Sequence, residues 1–255
     1  MTRRSWDDLR IPGRSRKEGH LTRAGRVGCT VRSVPTAQRG EDYIPALTYD
    51  RLTPLFDPVV RGFMRERAFK ERLLDQAAIE PGHRVLDLGC GTGTLAVWAK
   101  RRVPGAEVIG LDGDEEVLAR GRRKAAGAGV DVRLDRGLSY DMPYEDGSFD
   151  RVLSSLFFHH LKPDAKGTTV REIARVLRPG GELHVADFGP PGDPVAWVGA
   201  QVLRRFDGLE NTRDNIEGNL PRIFSDAGLV DARQRGGGMR VVFGTLAFYS
   251  ARRPN

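Results

Sequence analysis

The segment Val85-Leu86-Asp87-Leu88-Gly89-Cys90-Gly91-Thr92-Gly93 limits what this chain can fold into more than any other. Its first residues form a short apolar run broken by one acid, the pattern of a buried strand, and residues 94–102 beyond it carry a helical pattern. Three glycines join the two. Without a Cβ the backbone there bends sharply and lies close against a ligand, and the carboxyl end of a parallel strand opens on the crevice where ligands bind. A strand, a glycine turn and a helix in that order call for an α/β fold with its ligand at the end of the first strand.

The rest of the chain repeats the alternation. Strands are predicted at 84–88, 107–111, 131–135, 149–155 and 182–187, with helices at 94–102, 115–126 and 164–177. An amphipathic helix precedes them over 58–80, because Val60, Phe63, Met64, Phe69, Leu73, Leu74 and Ala77 recur at helical spacing before Pro81-Gly82. Helix 219–227 then leads to strands near 230–235 and 240–250, whose link Gly236-Gly237-Gly238 suits an antiparallel hairpin. The expected architecture is α/β: a Rossmann-like, seven-stranded, mostly parallel sheet with helices on both faces and a C-terminal antiparallel hairpin. The insertion at 190–220 carries Val195, Trp197, Val198, Val202, Leu203 and Phe206 near helical spacing, and reads as a helical lid or as ordinary core packing.

Charge divides the chain. Its formal net charge is +7, and residues 1–40 alone hold ten Lys or Arg against three acids. That segment has few large apolar residues to offset the entropy of ordering and is expected to be a basic, disordered tail, with residues 41–255 the folded domain. The body is then formally neutral, which argues against a nucleic-acid-binding face. No window approaches the roughly 18 consecutive apolar residues of a membrane span, and no apolar core follows the early arginines as a secretory leader requires. Cys29 and Cys90 lie in unlike contexts, so neither a disulfide nor a zinc site is expected, and a cytoplasmic, reducing setting suits them.

Asp87 narrows the ligand. A carboxylate at the entrance of the glycine turn repels a pyrophosphate and favours a positively charged group. The glycines alone do not discriminate, because Gly91-x-Gly93-x-x-Ala96 also satisfies a loose dinucleotide pattern. Asp112, ending the second strand, is placed to accept both hydroxyls of a ribose. Its bland alternative is a helix cap, a task open to Asp114 instead.

With VLDLGCGTG at 85–93, VIGLDGD at 108–114, DMPYEDGSFDRVLSSLFFHHL at 141–161 and REIARVLRPGGELHVADFG at 171–189, the chain resembles the class I methyltransferases of the ubiquinone/menaquinone-biosynthesis type over roughly residues 45–250. The resemblance implies S-adenosyl-L-methionine as cofactor and no metal. It implies a donor site drawn from Asp87, Gly89, Cys90, Gly91, Gly93, Asp112, Gly113, Leu138, Ser139 and Ser154. The glycine loop holds the methionine part and Asp112 the ribose. One departure stands out: where such enzymes commonly carry Gly-Asp-Ala, this chain has Gly137-Leu138-Ser139, so Leu138 is expected to pack on adenine and Ser139 to supply a polar contact, with Asp135 as an alternative. Tyr49 and Asp50 resemble an element that covers the cofactor.

Methyl transfer is an in-line displacement that chiefly needs alignment and exclusion of water. The candidates for a general base are His160, His159 and Asp187, at the ends of the fourth and fifth strands. His184 alternates away from Asp187 and is expected to be structural. A small-molecule acceptor is expected, possibly apolar or aromatic and methylated on oxygen or carbon. The alternatives are a cofactor binder without catalysis, an RNA-directed enzyme aided by the basic tail, and a nicotinamide-dependent oxidoreductase.

Overall fold

The computed structural model describes residues 65–255. The tail at 1–40, Tyr49 and Asp50, and the first part of the helix expected from 58 lie outside them. Helix α1 covers Glu66–Ala77, and the alternation then runs β1 Arg84–Leu88, α2 Thr94–Arg102, β2 Glu107–Asp112, α3 Glu115–Gly127, β3 Arg133–Arg136 and β4 Phe149–Ser155. A single 3-10 turn at Phe158–His160 separates β4 from α4, Pro163–Val176, and β5 follows over Leu177–Gly189. The 190–220 insertion forms two helices, α5 Pro194–Asp207 and α6 Leu209–Ile216, before α7 Leu220–Asp226 and the closing strands β6 Val230–Gln234, β7 Met239–Val241 and β8 Gly244–Arg252.

The sheet order is β3-β2-β1-β4-β5-β8-β6, with β7 paired to β8. Strands β1 to β5 pair in parallel, while β8 runs antiparallel to both β5 and β6. This is the expected sheet with two corrections. The strand expected at 240–250 breaks at Val242-Phe243 into β7 and β8, so eight strands form among the described residues. The antiparallel partner of β6 is β8, inserted beside β5, and the tight hairpin joins β7 to β8. At the start of β5 the pairing slips register between Phe149 and Arg151, and the continuous ladder begins at Glu182.

Alternation along β1 explains why helices cover both faces. Leu86 and Leu88 point into one core with Val152, Val185, Ile173 of α4 and Phe224 of α7. Val85 points into the other with Leu153, Phe69 and Leu73 of α1, Leu95 of α2 and Phe248 of β8. Helix starts follow their caps. Asp114 accepts from the amides of Glu116 and Val117, so it caps α3 and leaves Asp112 free for another task. Asp193 accepts from Ala196 N at 2.8 Å and starts α5, with Pro194 at its first position.

Candidate active site

The carboxyl ends of β1, β2, β4 and β5 carry the candidate residues. After β1 the chain turns through Gly89, Gly91 and Gly93, with φ of +67°, +53° and +66°, a left-handed conformation that side chains resist. The amides of Gly89 and Cys90 both donate to Leu111 O, which locks the loop to the end of β2. A Cβ on Gly89 would lie 2.3 Å from the Phe157 ring, whereas one on Gly91 would meet nothing closer than Val117 at 4.0 Å. The loop is thus packed on one side and open on the other.

Two acids face this loop. Asp87 is buried; its Oδ2 accepts from Ala96 N at 3.0 Å and its Oδ1 has no hydrogen-bond partner. Burial pushes its pKa up to about 7 against the opposing pull of Lys70 on α1. A cationic ligand supplies what this carboxyl lacks. Asp112 accepts from Gly91 N at 2.8 Å through Oδ2 and from Asp114 N at 3.0 Å through Oδ1. Each oxygen keeps a further lone pair, the arrangement a pair of ribose hydroxyls requires. Burial raises its pKa, and these backbone amides oppose the shift. An ammonium-bearing nucleoside therefore fits the residues present.

Other residues expected at the donor site are placed as follows. The Cys90 thiol is buried, and burial with two nearby carboxylates holds its pKa well above the ordinary value. Gly113 follows Asp112, and its carbonyl accepts from Arg136 at 3.4 Å. Leu138 is half-buried and forms an isolated bridge with Asp141. The Ser139 hydroxyl hydrogen-bonds Thr169 Oγ1 of α4 at 2.9 Å. The Ser154 hydroxyl is fully buried and donates to Leu88 O at 3.1 Å, tying β4 to β1. Asp135 accepts from Arg133 and from the Tyr144 hydroxyl and is occupied there.

On the other side of the loop, Asp187 organises the turn after β4. It is fully buried; Oδ2 accepts from the amides of Phe157 at 3.0 Å and Phe158 at 2.7 Å, and Oδ1 from Phe188 N and His159 Nδ1, both at 2.7 Å. Burial alone would raise its pKa, but His159 and these bonds hold it below the ordinary carboxylate value. With every oxygen engaged, Asp187 reaches no substrate itself, which corrects its expected direct role: it positions His159. An ionised carboxylate only accepts, so Asp187 receives the Nδ1 proton of His159 and orients the ring. The Nε2 of His159 lies 3.9 Å from Asp207 Oδ2 at the end of α5, and His160 Nδ1 lies 3.9 Å from Asp207 Oδ1. The three side chains bring ligand-type atoms within 4.8 Å of one another, compact enough for an ion; the 3.9 Å gaps equally match one hydroxyl oxygen bridging two groups at about 2.8 Å. Burial and the adjacent His159 push His160 down to about 3.

Three contributors escaped the sequence reading. Phe157 packs its ring on Gly89, Leu156 holds a strained φ of +54° that aims the turn, and the buried Tyr249 hydroxyl has no hydrogen-bond partner. Leu156-Phe157 and Tyr249 sit in apolar runs and carry no local signal. His184 is buried on β5 and bonds to Glu182 and Gln76, a structural place as expected.

Residues 85–181 match the methyltransferase domain family. A demethylmenaquinone methyltransferase of Thermus thermophilus is 37% identical over 145 residues, covering 56% of this chain and 65% of that protein. The methyltransferase GfsG of Streptomyces halstedii is 38% identical over 165 residues, covering 62% of this chain and 57% of that protein. This chain therefore spans less than two thirds of the length of either relative. Among solved structures, phosphoethanolamine N-methyltransferase 2 of Haemonchus contortus, in complex with S-adenosyl-L-methionine, superposes with a TM-score of 0.60 at 17% identity, over 74% of this chain and 53% of that one, a likeness of fold. Glycine loop, sheet order and sequence match agree: residues 85–181 carry a methyltransferase domain on a Rossmann-like sheet.

Proposed function

We propose that the protein methylates a small apolar or aromatic acceptor on oxygen or carbon, with His159 as the proton acceptor. The observation that carries this reading is the 2.7 Å bond from His159 Nδ1 to the buried Asp187, which turns Nε2 toward Asp207 at the end of α5. S-adenosylmethionine supplies, when bound, an electrophilic methyl on a sulfonium that leaves as a neutral thioether. The chain's own residues do the rest. Asp87 and Asp112 hold the two polar ends of the donor, and Phe157 keeps water from the loop. As the acceptor atom forms its bond to carbon, its proton passes to His159 Nε2, and Asp187 stabilises the resulting imidazolium. His159 is favoured over His160 because Asp187 fixes its tautomer and orientation.

The helices α5 and α6 are read as the wall of the acceptor pocket, since Asp207 brings α5 to the histidine pair. A cytoplasmic setting is supported by Cys90, whose buried thiol is unpaired. No helix among the described residues is long and apolar enough to cross a membrane. Calorimetric titration with S-adenosylmethionine and with NADH, followed by a mass-spectrometric screen for metabolites that gain one methyl, tests the function. Binding of the sulfonium alone and a methylated product are expected; equal affinity for both ligands, or no product with His159 intact, would refute it.

A further inference from the structure

Two adjacent histidines converge on one acid after β4. On a 3-10 turn successive side chains point about a third of a turn apart. The rings of His159 and His160 nevertheless lie with centroids 4.0 Å apart, tilted by 41°, and both face Asp207 at the end of α5. His159 is held from two sides: Nδ1 bonds to the buried Asp187 at 2.7 Å, and the Phe188 ring meets it edge-on with centroids 4.9 Å apart. The three groups are not joined directly. Both His–Asp207 distances are 3.9 Å, beyond a hydrogen bond, and among the described residues the Asp207 carboxylate and the His160 ring make no hydrogen bond.

We propose that His159 Nε2, His160 Nδ1 and Asp207 hold a divalent ion of the zinc class, and that the bound ion excludes proton acceptance by His159. Donor type decides the class: two imidazoles with one carboxylate suit zinc and its neighbours, whereas magnesium and calcium take oxygen. The geometry fits after a small closure. Ligand atoms about 2.0–2.2 Å from a tetrahedral ion lie about 3.4 Å from one another, so each 3.9 Å gap shortens by about half an ångström, within reach of a half-buried carboxylate at a helix end. A bridging hydroxyl joins two of these groups; an ion takes all three, whose ligand atoms lie within 4.8 Å of one another. Asp187 is the second, independent observation. Metal-bound histidines rest their other ring nitrogen on a carboxylate, which fixes the ring and strengthens the donor, and the His159–Asp187 bond is that arrangement. With both rings neutral, Asp187 and Asp207 leave a formal negative charge of two that a divalent ion balances. The family resemblance implies no metal; these residues point to one. The exclusion rests on the reading of His159 as proton acceptor, because the ion takes the Nε2 lone pair that the transferred proton needs.

The test uses the full chain freed of metal with EDTA, titrated with zinc chloride in calorimetry and with cobalt(II) chloride in visible absorption, beside the variant Asp207→Ala. Stoichiometric binding and the visible cobalt bands of a four-coordinate ion are expected, with an affinity in the variant lower by more than the roughly 10–100-fold that an outer-shell partner is worth. Nitrogen-15 NMR of the wild-type imidazoles reads the ligand itself: zinc should shift His159 Nε2 and leave Nδ1 protonated. No zinc binding, equal affinity in a variant that keeps the wild-type circular dichroism, or an Nε2 resonance that zinc leaves in place would overturn the site. Equal methyl transfer with and without stoichiometric zinc would overturn the exclusion. S-adenosylmethionine titrated into the same chain separates the two readings: its failure to bind strikes the methyltransferase assignment, and the zinc results decide the metal site on their own.

Discussion

Replacing Asp187 by Asn changes the least volume and the most chemistry. The carboxylate accepts four N–H groups, from Phe157, Phe158, Phe188 and His159, all within 3.0 Å. An Asn offers one oxygen and one NH2. If the oxygen keeps the amides of Phe157 and Phe158, the NH2 meets the Phe188 N–H, two donors face to face, and His159 must accept at Nδ1. One buried N–H left unpaired costs about 1–3 kcal/mol, and weakening charge-assisted bonds to neutral ones adds about 1 kcal/mol, so Asp187→Asn should destabilise by about 2–4 kcal/mol. The same swap moves the His159 proton to Nε2, where it blocks proton acceptance. Urea unfolding followed by circular dichroism reads the first effect, and nitrogen-15 NMR of the imidazole reads the second. The folded Asp187 titrates below its ordinary 3.8, so the advantage of wild type over the variant is complete above about pH 4 and fades as pH falls through the folded value. A loss under about 0.5 kcal/mol, or an Nε2 that stays unprotonated in the variant, would refute the assignment of Asp187 as the positioning acid.

Asp112→Ala should weaken S-adenosylmethionine binding by about 1–3 kcal/mol in calorimetry, since the ribose loses a charged acceptor; unchanged affinity would mean the ribose lies elsewhere. Gly89→Ala sets a methyl 2.3 Å from the Phe157 ring at a φ of +67° and should abolish donor binding. Adding Phe157→Ala should relieve the clash while leaving a backbone penalty of about 1–2 kcal/mol, and full recovery of thermal stability would show that the conformation is not strained. Asp87 titrates near 7 when folded, above its ordinary 3.8, so its proton stabilises the unliganded fold at low pH and that contribution is lost as pH rises from about 3.8 to 7. Asp87→Asn should flatten the stability profile across that window, and an identical slope in the variant would contradict a raised carboxyl.

Much of this fold is legible locally. The strand–glycine–helix segment carries its own geometry, because positive φ at Gly89, Gly91 and Gly93 is a property of those residues. Strand β4 and helix α2 occupy the residues expected from apolar spacing, 149–155 and 94–102, and Asp114 caps α3 where a cap was foreseen. These are short-range matters of periodicity and capping. The placement of Asp87 and Asp112 beside the loop was readable too, since their distance from it is set along the chain. The closing strands were legible as an antiparallel pair, but not their division or the edge they take. Whether β6 pairs with β7 or with a more distant strand depends on which edge β5 leaves open, and β8 takes that edge through backbone bonds no window of sequence contains. The site divides the same way. Local pattern brought His159, His160 and Asp187 into view as chemistry-bearing groups near strand ends. Only packing between β4 and β5 closed the 2.7 Å bond that orients one of them and withdraws another from the solvent, and only α5 delivered Asp207. Torsional preference is written residue by residue, whereas burial and hydrogen-bond partnership belong to pairs far apart in the chain.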